Sequence, residues 1–138
     1  MSSDAGSELW DRIPADHRLV ENSLLLAERD LNVAQDLLEN GQYDWAFSVS
    51  YNAMLQAGRG LLFSAGYRPR GEQKHVAVIE FIRQRHHFNA QMLFHFDKMR
   101  KKRHIAVYEM TNLISEDEAK HALKVANEFI KEVRQEIK

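Results

Sequence analysis

The sequence predicts an all-α fold, an antiparallel up-and-down helical bundle of four main helices plus one short helix. Apolar residues recur at spacings of three and four in several long stretches, which is the period of an amphipathic helix. A capping box or a glycine stands where several of these stretches begin or end. No stretch alternates between apolar and polar residues as a half-buried strand does. Short connections between the helices favour an up-and-down bundle.

Length and composition indicate one domain without a membrane span. The 138 residues are enough to bury a core without cross-links. No apolar run approaches the roughly 18–20 residues that would cross a bilayer, and the first residues lack the features of a signal peptide. Cysteine is absent, so a disulfide frame and a thiolate metal site are excluded and a reducing compartment is favoured. We therefore expect a cytoplasmic protein with no membrane partner.

The predicted elements follow in order. Residues 1–15 are interpreted as a flexible N-terminal arm that docks through Trp10, and residues 16–138 as the helical domain. The first helix begins at Asp16, a plausible N-cap, and ends at Asn40 and Gly41. The second, over residues 43–65, carries a stripe of small residues that lets another backbone approach closely, which predicts a central position. Residues 67–71 are expected to form a loop.

Three further helices complete the bundle. A short helix is expected over residues 74–85, with a break at 86–89, and a fourth helix runs from residue 89 into a basic segment. The last helix starts at a capping box in which Ser115 and Glu118 exchange bonds with exposed backbone donors.

The basic segment is the sequence feature that most needs a functional explanation. Five of the six residues from 98 to 103 are basic. Arg103 extends the apolar stripe formed by Met92, Phe96 and Met99, at spacings of four, three and four, so it is predicted to point inward. Lys101 and Lys102 fall on the outer side. A buried guanidinium is costly without an anion. That anion could be a carboxylate of a neighbouring helix, a phosphate group, or the same site on a second subunit.

Charge is also distributed unevenly along the chain. Ten acidic and three basic residues precede residue 45, whereas ten acidic and sixteen basic residues follow. This asymmetry is compatible with binding of a polyanion by the basic part. It is equally compatible with charge complementarity between neighbouring helices or subunits.

Other site types have little support. No two of the seven histidines are four apart, as a helical zinc motif requires, so no metal site and no cofactor are expected. The Gly58-Arg59-Gly60 triplet lies inside a predicted helix and does not follow a strand, so it is not a phosphate-binding loop. No serine lies in a Gly-x-Ser-x-Gly turn.

Three stretches resemble the HEPN domain family (higher eukaryotes and prokaryotes nucleotide-binding domain). Residues 43–55 are similar to its second helix, and residues 59–70 resemble the helix end and loop that follow. Residues 103–108, Arg-His-Ile-Ala-Val-Tyr, match its signature of an arginine, a polar residue, three more residues and then usually histidine or tyrosine. The resemblance extends from about residue 16 to the C-terminus.

The resemblance implies an all-α homodimer in which two signature segments meet across a cleft. Many members of this family are metal-independent ribonucleases, and often they are toxins paired with a nucleotidyltransferase antitoxin. The implied catalytic residues here are Arg103, His104 and Tyr108, with Tyr108 at the position of the usual catalytic histidine. A tyrosine, whose ordinary pKa is about 10, donates a hydrogen bond at neutral pH but does not readily accept a proton. Residues five apart do not align on a helix, so Arg103 and Tyr108 are expected to converge only if the helix ends between them or a dimer shares the site.

Three hypotheses remain open, and whether the protein is an enzyme stays open with them. In the leading one, a homodimer binds a nucleotide or an RNA phosphate, or docks a nucleotidyltransferase partner. Arg103 anchors the anion, His104 and Tyr108 donate hydrogen bonds, and the neighbouring cations Arg100, Lys101 and Lys102 attract the polyanion. The second is a ribonuclease that uses Arg103 with His104 or Tyr108. The third is a structural protein in which Arg103 satisfies an internal acid.

Overall fold

Five helices and one two-stranded sheet make up the described part of the chain. A computed structural model describes residues 9–71, 74–85, 88–109 and 111–137. The elements in chain order are β1 (Trp10–Arg12), α1 (His17–Glu39), α2 (Tyr43–Ser64), β2 (Tyr67–Pro69), α3 (Lys74–Arg85), α4 (Ala90–Tyr108) and α5 (Glu116–Ile137). The all-α prediction, with four long helices and one short one, is confirmed.

The helix ends follow local capping chemistry. The side chain of Asp16 accepts a hydrogen bond from the backbone N of Arg18 at 2.9 Å, so Asp16 caps α1. Gly41 has a φ of +75°, the left-handed conformation that glycine adopts easily after a helix. Before α5, Glu118 N donates to Ser115 Oγ at 3.1 Å and Ser115 N donates to Glu118 Oε1 at 3.0 Å, as a capping box requires.

The small sheet differs from the sequence prediction, which had no strand and had a loop at residues 67–71. Strands β1 and β2 pair antiparallel, with Trp10 opposite Pro69 and Arg12 opposite Tyr67. Trp10 is buried and packs edge-on against Phe81 of α3, with ring centroids 5.2 Å apart. Two three-residue strands far apart in sequence leave no periodic pattern, because their pairing depends on tertiary packing.

Helix α2 is the centre of the bundle and contacts all four other helices. Its small residues Ala46, Ser50, Ala53, Ala57 and Gly60 are all buried, as the predicted central position requires. The closest approach is at Gly58, where an added Cβ would lie 2.4 Å from Cγ1 of Val78. Helix α3 is thereby held directly against α2.

Two predictions fall outside the described residues. Residues 1–8 of the predicted arm are among them, and so are His86 and His87 of the predicted break. Among the helices of the described ranges, none is both long enough and apolar enough to cross a membrane.

Candidate functional site

The side chains of the basic segment on α4 point in different directions. Arg100 is paired within its own helix, its Nη2 atom lying 2.9 Å from Oδ1 of Asp97. Lys101 is exposed and lies 3.4 Å from the other carboxylate oxygen of Asp97. Lys102 forms an ion pair with Glu118 at the start of α5. Lys101 and Lys102 therefore do not join Arg103, which turns toward α2.

Arg103 packs against α2 as its phase in the sequence predicts. Its Nε donates to Oγ of Ser48 at 3.2 Å, and its guanidinium carbon lies 5.6 Å from the ring centroid of Tyr51. Within the described ranges, no carboxylate lies within ion-pair distance of Arg103. The internal acid required by the structural hypothesis is thus not found in the part of the chain that the structure describes. A guanidinium has five N–H donors, and the Ser48 contact uses one of them.

Arg103 lines an open cavity of about 530 Å³ between α2, α3 and α4, which we call the arginine cleft. Its polar lining comes from all three helices and consists of Asn52, Arg59, His75, Arg100, Arg103, His104 and Tyr108. Leu55 and Val76 contribute apolar wall. Three guanidinium groups facing one cavity generate a positive potential that favours an anion.

Arg59 is the second guanidinium in the cleft without an acidic partner among the described residues. Partial burial lowers the pKa of Arg59 from its usual value, because desolvation disfavours the charged form. Arg100 differs, since Asp97 already neutralises part of its charge. Arg59 and Arg103 are therefore the two groups with most to gain from an anion supplied from outside.

His75 at the start of α3 lines the cleft, and the buried Tyr51 lies behind it. The Nδ1 atom of His75 lies 2.9 Å from Oη of Tyr51, which is fully buried. Burial lowers the pKa of His75, and the positive charges of Arg103, Arg59 and Arg100 lower it further. Burial also raises the pKa of Tyr51, against the opposing effect of the nearby arginines. Both side chains are thus held in their neutral forms at neutral pH.

His104 and Tyr108 form the outer rim of the cleft. Their rings lie 5.0 Å apart between centroids, as expected for residues four apart on a helix. Tyr108 is 67% exposed. Helix α4 does not end between Arg103 and Tyr108, and both residues line the arginine cleft.

Sequence reasoning missed Arg59, His75 and the buried Tyr51. One signal was available, because Asn52, Leu55 and Arg59 recur at spacings of three and four on a helix otherwise dominated by small and apolar residues. Arg59 was passed over because it lies between two glycines that do not form a phosphate loop. His75 offered no local signal, since its position depends on the packing of α3 against α2.

A second groove, of about 550 Å³, lies between α4 and α5. Lysines and glutamates contribute equally to its charged lining, which consists of Lys124, Glu128, Lys131 and Glu132. His95 and His121 also line it, with ring centroids 5.1 Å apart. Among the described residues, no group of three or more His, Asp or Glu side chains is placed to hold a metal ion. Without an excess of either charge, this groove has less to attract an anion than the arginine cleft.

The fold and the cleft together define a helical-bundle protein with an arginine-lined cavity beside its fourth helix. A family model described as the HEPN domain matches residues 20–136. The chain therefore belongs to the HEPN domain family.

Solved structures agree with this assignment. The crystal structure of ST0689, an archaeal HEPN homologue, is 25% identical, with a TM-score of 0.68 over 86% of this chain and 98% of the other. TT1696 from Thermus thermophilus is 18% identical, with a TM-score of 0.71 over 84% of this chain and 96% of the other, which shows a common fold. Comparison with curated proteins gave no significant match.

Proposed function

We propose that this HEPN protein binds the phosphate of a nucleotide or of RNA in the arginine cleft. One observation carries the proposal: Arg59 and Arg103 face the same cavity, and neither has a carboxylate partner among the described residues. Guanidinium groups recognise phosphate through paired N–H donors. A phosphate between Arg59 and Arg103 would offset the cost of partly burying two cations.

The other cationic residues have separate roles in this proposal. Arg100 lines the cleft and adds positive charge beside the anion. Lys101 is exposed and contributes long-range attraction that salt screens. Lys102 is held by Glu118 on the opposite side of α4 and contributes least. His104 and Tyr108 at the rim donate hydrogen bonds to sugar or phosphate oxygens.

We further propose that the protein works as a homodimer, with a nucleotidyltransferase as a protein partner, as in a toxin–antitoxin pair. Exposed apolar surface beside the cleft supports a protein–protein contact. Ile105 and Tyr108, three residues apart on α4, are 38% and 67% exposed. Such side chains become buried when a second subunit packs along the helix. Sedimentation of the purified protein tests the dimer, and co-purification with a nucleotidyltransferase encoded beside it tests the partner.

The second candidate function is that of a ribonuclease. The observation that favours it is that His75 lines the arginine cleft. A histidine held neutral beside three arginines combines a proton acceptor with groups that stabilise a charged phosphate. The sequence suggested Arg103 with His104 or Tyr108, and either of those two partners would place the proton acceptor at the exposed rim.

The phosphate-binding proposal is tested by fluorescence anisotropy with labelled RNA and with a labelled nucleotide. Arg103→Ala and Arg59→Ala are each expected to weaken binding by roughly 10- to 100-fold, the equivalent of about 1.5–3 kcal/mol for hydrogen bonds to a charged group. Arg18→Ala is the matched control, because it removes the same charge from a side chain that is 93% exposed on α1. Equal affinity for Arg103→Ala and the wild type, or no binding by the wild type, would refute the proposal. A large loss of thermal stability in Arg103→Ala without a change in binding would support the structural hypothesis.

A further inference from the structure

We propose that His75 is the proton acceptor of an RNA-cleaving centre in the arginine cleft. It would take the proton from the 2′-hydroxyl of a ribose whose 3′-phosphate lies on Arg59 and Arg103. The inference rests on the proposed function, because it requires an RNA phosphate in the cleft. It assigns the base to α3, outside the Arg103–Tyr108 segment of α4.

The hydroxyl and ring of Tyr51 hold the imidazole of His75 in place. Nδ1 of His75 lies 2.9 Å from Oη of Tyr51, and the two rings lie 5.6 Å apart between centroids. Tyr51 is itself held by an edge-on contact with Phe96 at 5.6 Å. A base whose ring is held by a second group keeps one nitrogen aimed at the substrate. Here Tyr51 holds Nδ1 at the buried side.

The other nitrogen is available for chemistry. Nε2 of His75 has no hydrogen-bond partner in the part of the chain that the structure describes, and the residue lines the cleft. When Nδ1 carries the proton and donates it to Oη of Tyr51, Nε2 has a free lone pair. That tautomer accepts a proton from a ribose hydroxyl.

The guanidinium groups around His75 favour its role as a proton acceptor. Burial and the guanidinium groups of Arg59, Arg100 and Arg103 favour neutral His75, so the base is unprotonated at neutral pH. A bound phosphate offsets part of that positive field, and the imidazole then becomes more basic in the complex. The arginines stabilise the extra negative charge that develops on the phosphorus oxygens during attack.

The step balances without a metal or a redox partner. The 2′-hydroxyl gives its proton to Nε2 of His75 while its oxygen forms a bond to phosphorus. The bond between phosphorus and the 5′-oxygen breaks, and that oxygen takes the proton of the Tyr108 hydroxyl. Tyr108 then regains a proton from water, and His75 releases its own to water. The products are a 2′,3′-cyclic phosphate and a 5′-hydroxyl end.

His75 is better placed than the three histidines of α4 and α5. His104 is exposed at the rim, and its ring contacts Tyr108. His95 and His121 line the groove between α4 and α5 and do not reach the cleft. His75 is thus the histidine that combines contact with the cleft, a fixed ring and a neighbouring arginine cluster.

The test uses an end-labelled RNA pool of random sequence, incubated with the full chain in excess EDTA. Wild type is expected to yield 2′,3′-cyclic phosphate ends and to leave a fully 2′-O-methylated pool intact. His75→Gln keeps hydrogen-bonding groups beside Tyr51 but cannot act as the base, so cleavage should fall at least about 100-fold. Affinity for the methylated pool should stay within about threefold. His121→Gln is the matched control and is expected to cleave like the wild type.

Rescue separates a chemical role from a structural one. Added imidazole should restore part of the cleavage by His75→Ala, because a small base can occupy the vacated space, whereas it cannot restore a disrupted fold. Full cleavage by His75→Gln, or failure of rescue in a His75→Ala protein that still folds and binds RNA, would overturn the assignment. So would a wild type that binds RNA without cutting it, although the binding proposal would then stand. A wild type that binds no RNA would refute both.

Discussion

Oη of Tyr51 and Nδ1 of His75 lie 2.9 Å apart and join α2 to α3 beneath the guanidinium of Arg103. Tyr51 contacts both functional side chains, since its ring faces Arg103 and its hydroxyl meets His75. The arginine that the sequence singled out and the histidine that it did not are therefore parts of one arrangement. Its geometry depends on the packing of α2 against α3 and α4.

The contact between Ser48 and Arg103 gives the first prediction. Ser48→Ala removes the oxygen that accepts the hydrogen bond from Arg103 Nε at 3.2 Å. The guanidinium then loses one positional restraint, and RNA binding should weaken by about 3- to 10-fold, the equivalent of about 0.5–1.5 kcal/mol. Anisotropy titration measures the change.

Ser50→Ala is the control on the same helix. Oγ of Ser50 is buried and has no hydrogen-bond partner among the described residues, so its removal should leave binding unchanged and stability equal or higher. Equal RNA affinity in wild type and Ser48→Ala would show that Ser48 does not position Arg103.

The approach of α3 to α2 gives a prediction about stability. A Cβ at Gly58 would lie 2.4 Å from Cγ1 of Val78, a buried side chain with little freedom to move. Overpacking of this kind costs about 1–3 kcal/mol, which exceeds the gain of roughly 1 kcal/mol from replacing a helical glycine by alanine. Gly58→Ala should therefore lower the free energy of unfolding in chemical denaturation.

Gly60→Ala is the comparison for this prediction. A Cβ at Gly60 would meet Cβ of Ser23 at 3.5 Å, an ordinary van der Waals contact. The higher helix propensity of alanine then decides the outcome, and Gly60→Ala should be more stable than the wild type by up to about 1 kcal/mol. A Gly58→Ala protein as stable as Gly60→Ala would contradict the close packing of α2 and α3.

The two sides of α4 give a prediction about salt dependence. Arg100→Ala removes a charge that lines the cleft, so it should weaken RNA binding and lower the slope of log affinity against log salt by roughly one. Lys102→Ala removes the same charge from the side that faces Glu118, and it should change affinity by no more than about twofold. Similar losses in both variants would indicate that RNA covers both sides of α4.

His75 gives a prediction about pH. The groups that face it are Tyr51 and Arg59 from α2 and Arg100 and Arg103 from α4, and burial with these charges lowers its pKa below the ordinary 6.5. As pH falls below about 6.5, His75 binds a proton in the unfolded chain but not in the folded chain. This difference lowers the free energy of unfolding progressively until the pH reaches the pKa of His75 in the folded protein. Above the ordinary pKa of 6.5, His75 is neutral in both states and its titration does not change the free energy of unfolding.

The measurement is chemical denaturation between pH 5 and 8 of wild type and His75→Gln. The wild type should lose more stability than the variant as pH falls through this window, and the two curves should run parallel near pH 8. Parallel curves over the whole range would mean that folding does not change the pKa of His75.

Local chemistry explains which parts of the fold the sequence could predict. The caps at Asp16 and at Ser115 and Glu118 act within a few residues, so each can be identified without tertiary structure. The inward direction of Arg103 followed from the helical period in the same way. The pairing of β1 with β2 joins segments far apart in the chain, and no local pattern encodes it.

Part of the candidate site was predictable because it lies in one local stretch of sequence. Arg103, His104 and Tyr108 belong to one continuous segment, which draws attention as a unit. Arg59 and His75 reach the cleft from two other helices. A short amphipathic helix such as α3 can present any of several faces to its neighbour, so packing alone determines that His75 faces Tyr51 and not solvent. Sequence reasoning thus located one wall of the cleft and missed the other two.

The position of bound RNA on the protein is the most direct test of phosphate binding in the arginine cleft. Imidazole signals of the histidines, followed by NMR while a short RNA of mixed sequence is added, report on the cleft and on the α4–α5 groove at once. We predict that the signals of His75 and His104 shift with a common affinity, while those of His95 and His121 do not move. Saturable shifts of His95 and His121 with His75 unchanged would place the RNA in the other groove and contradict the central claim.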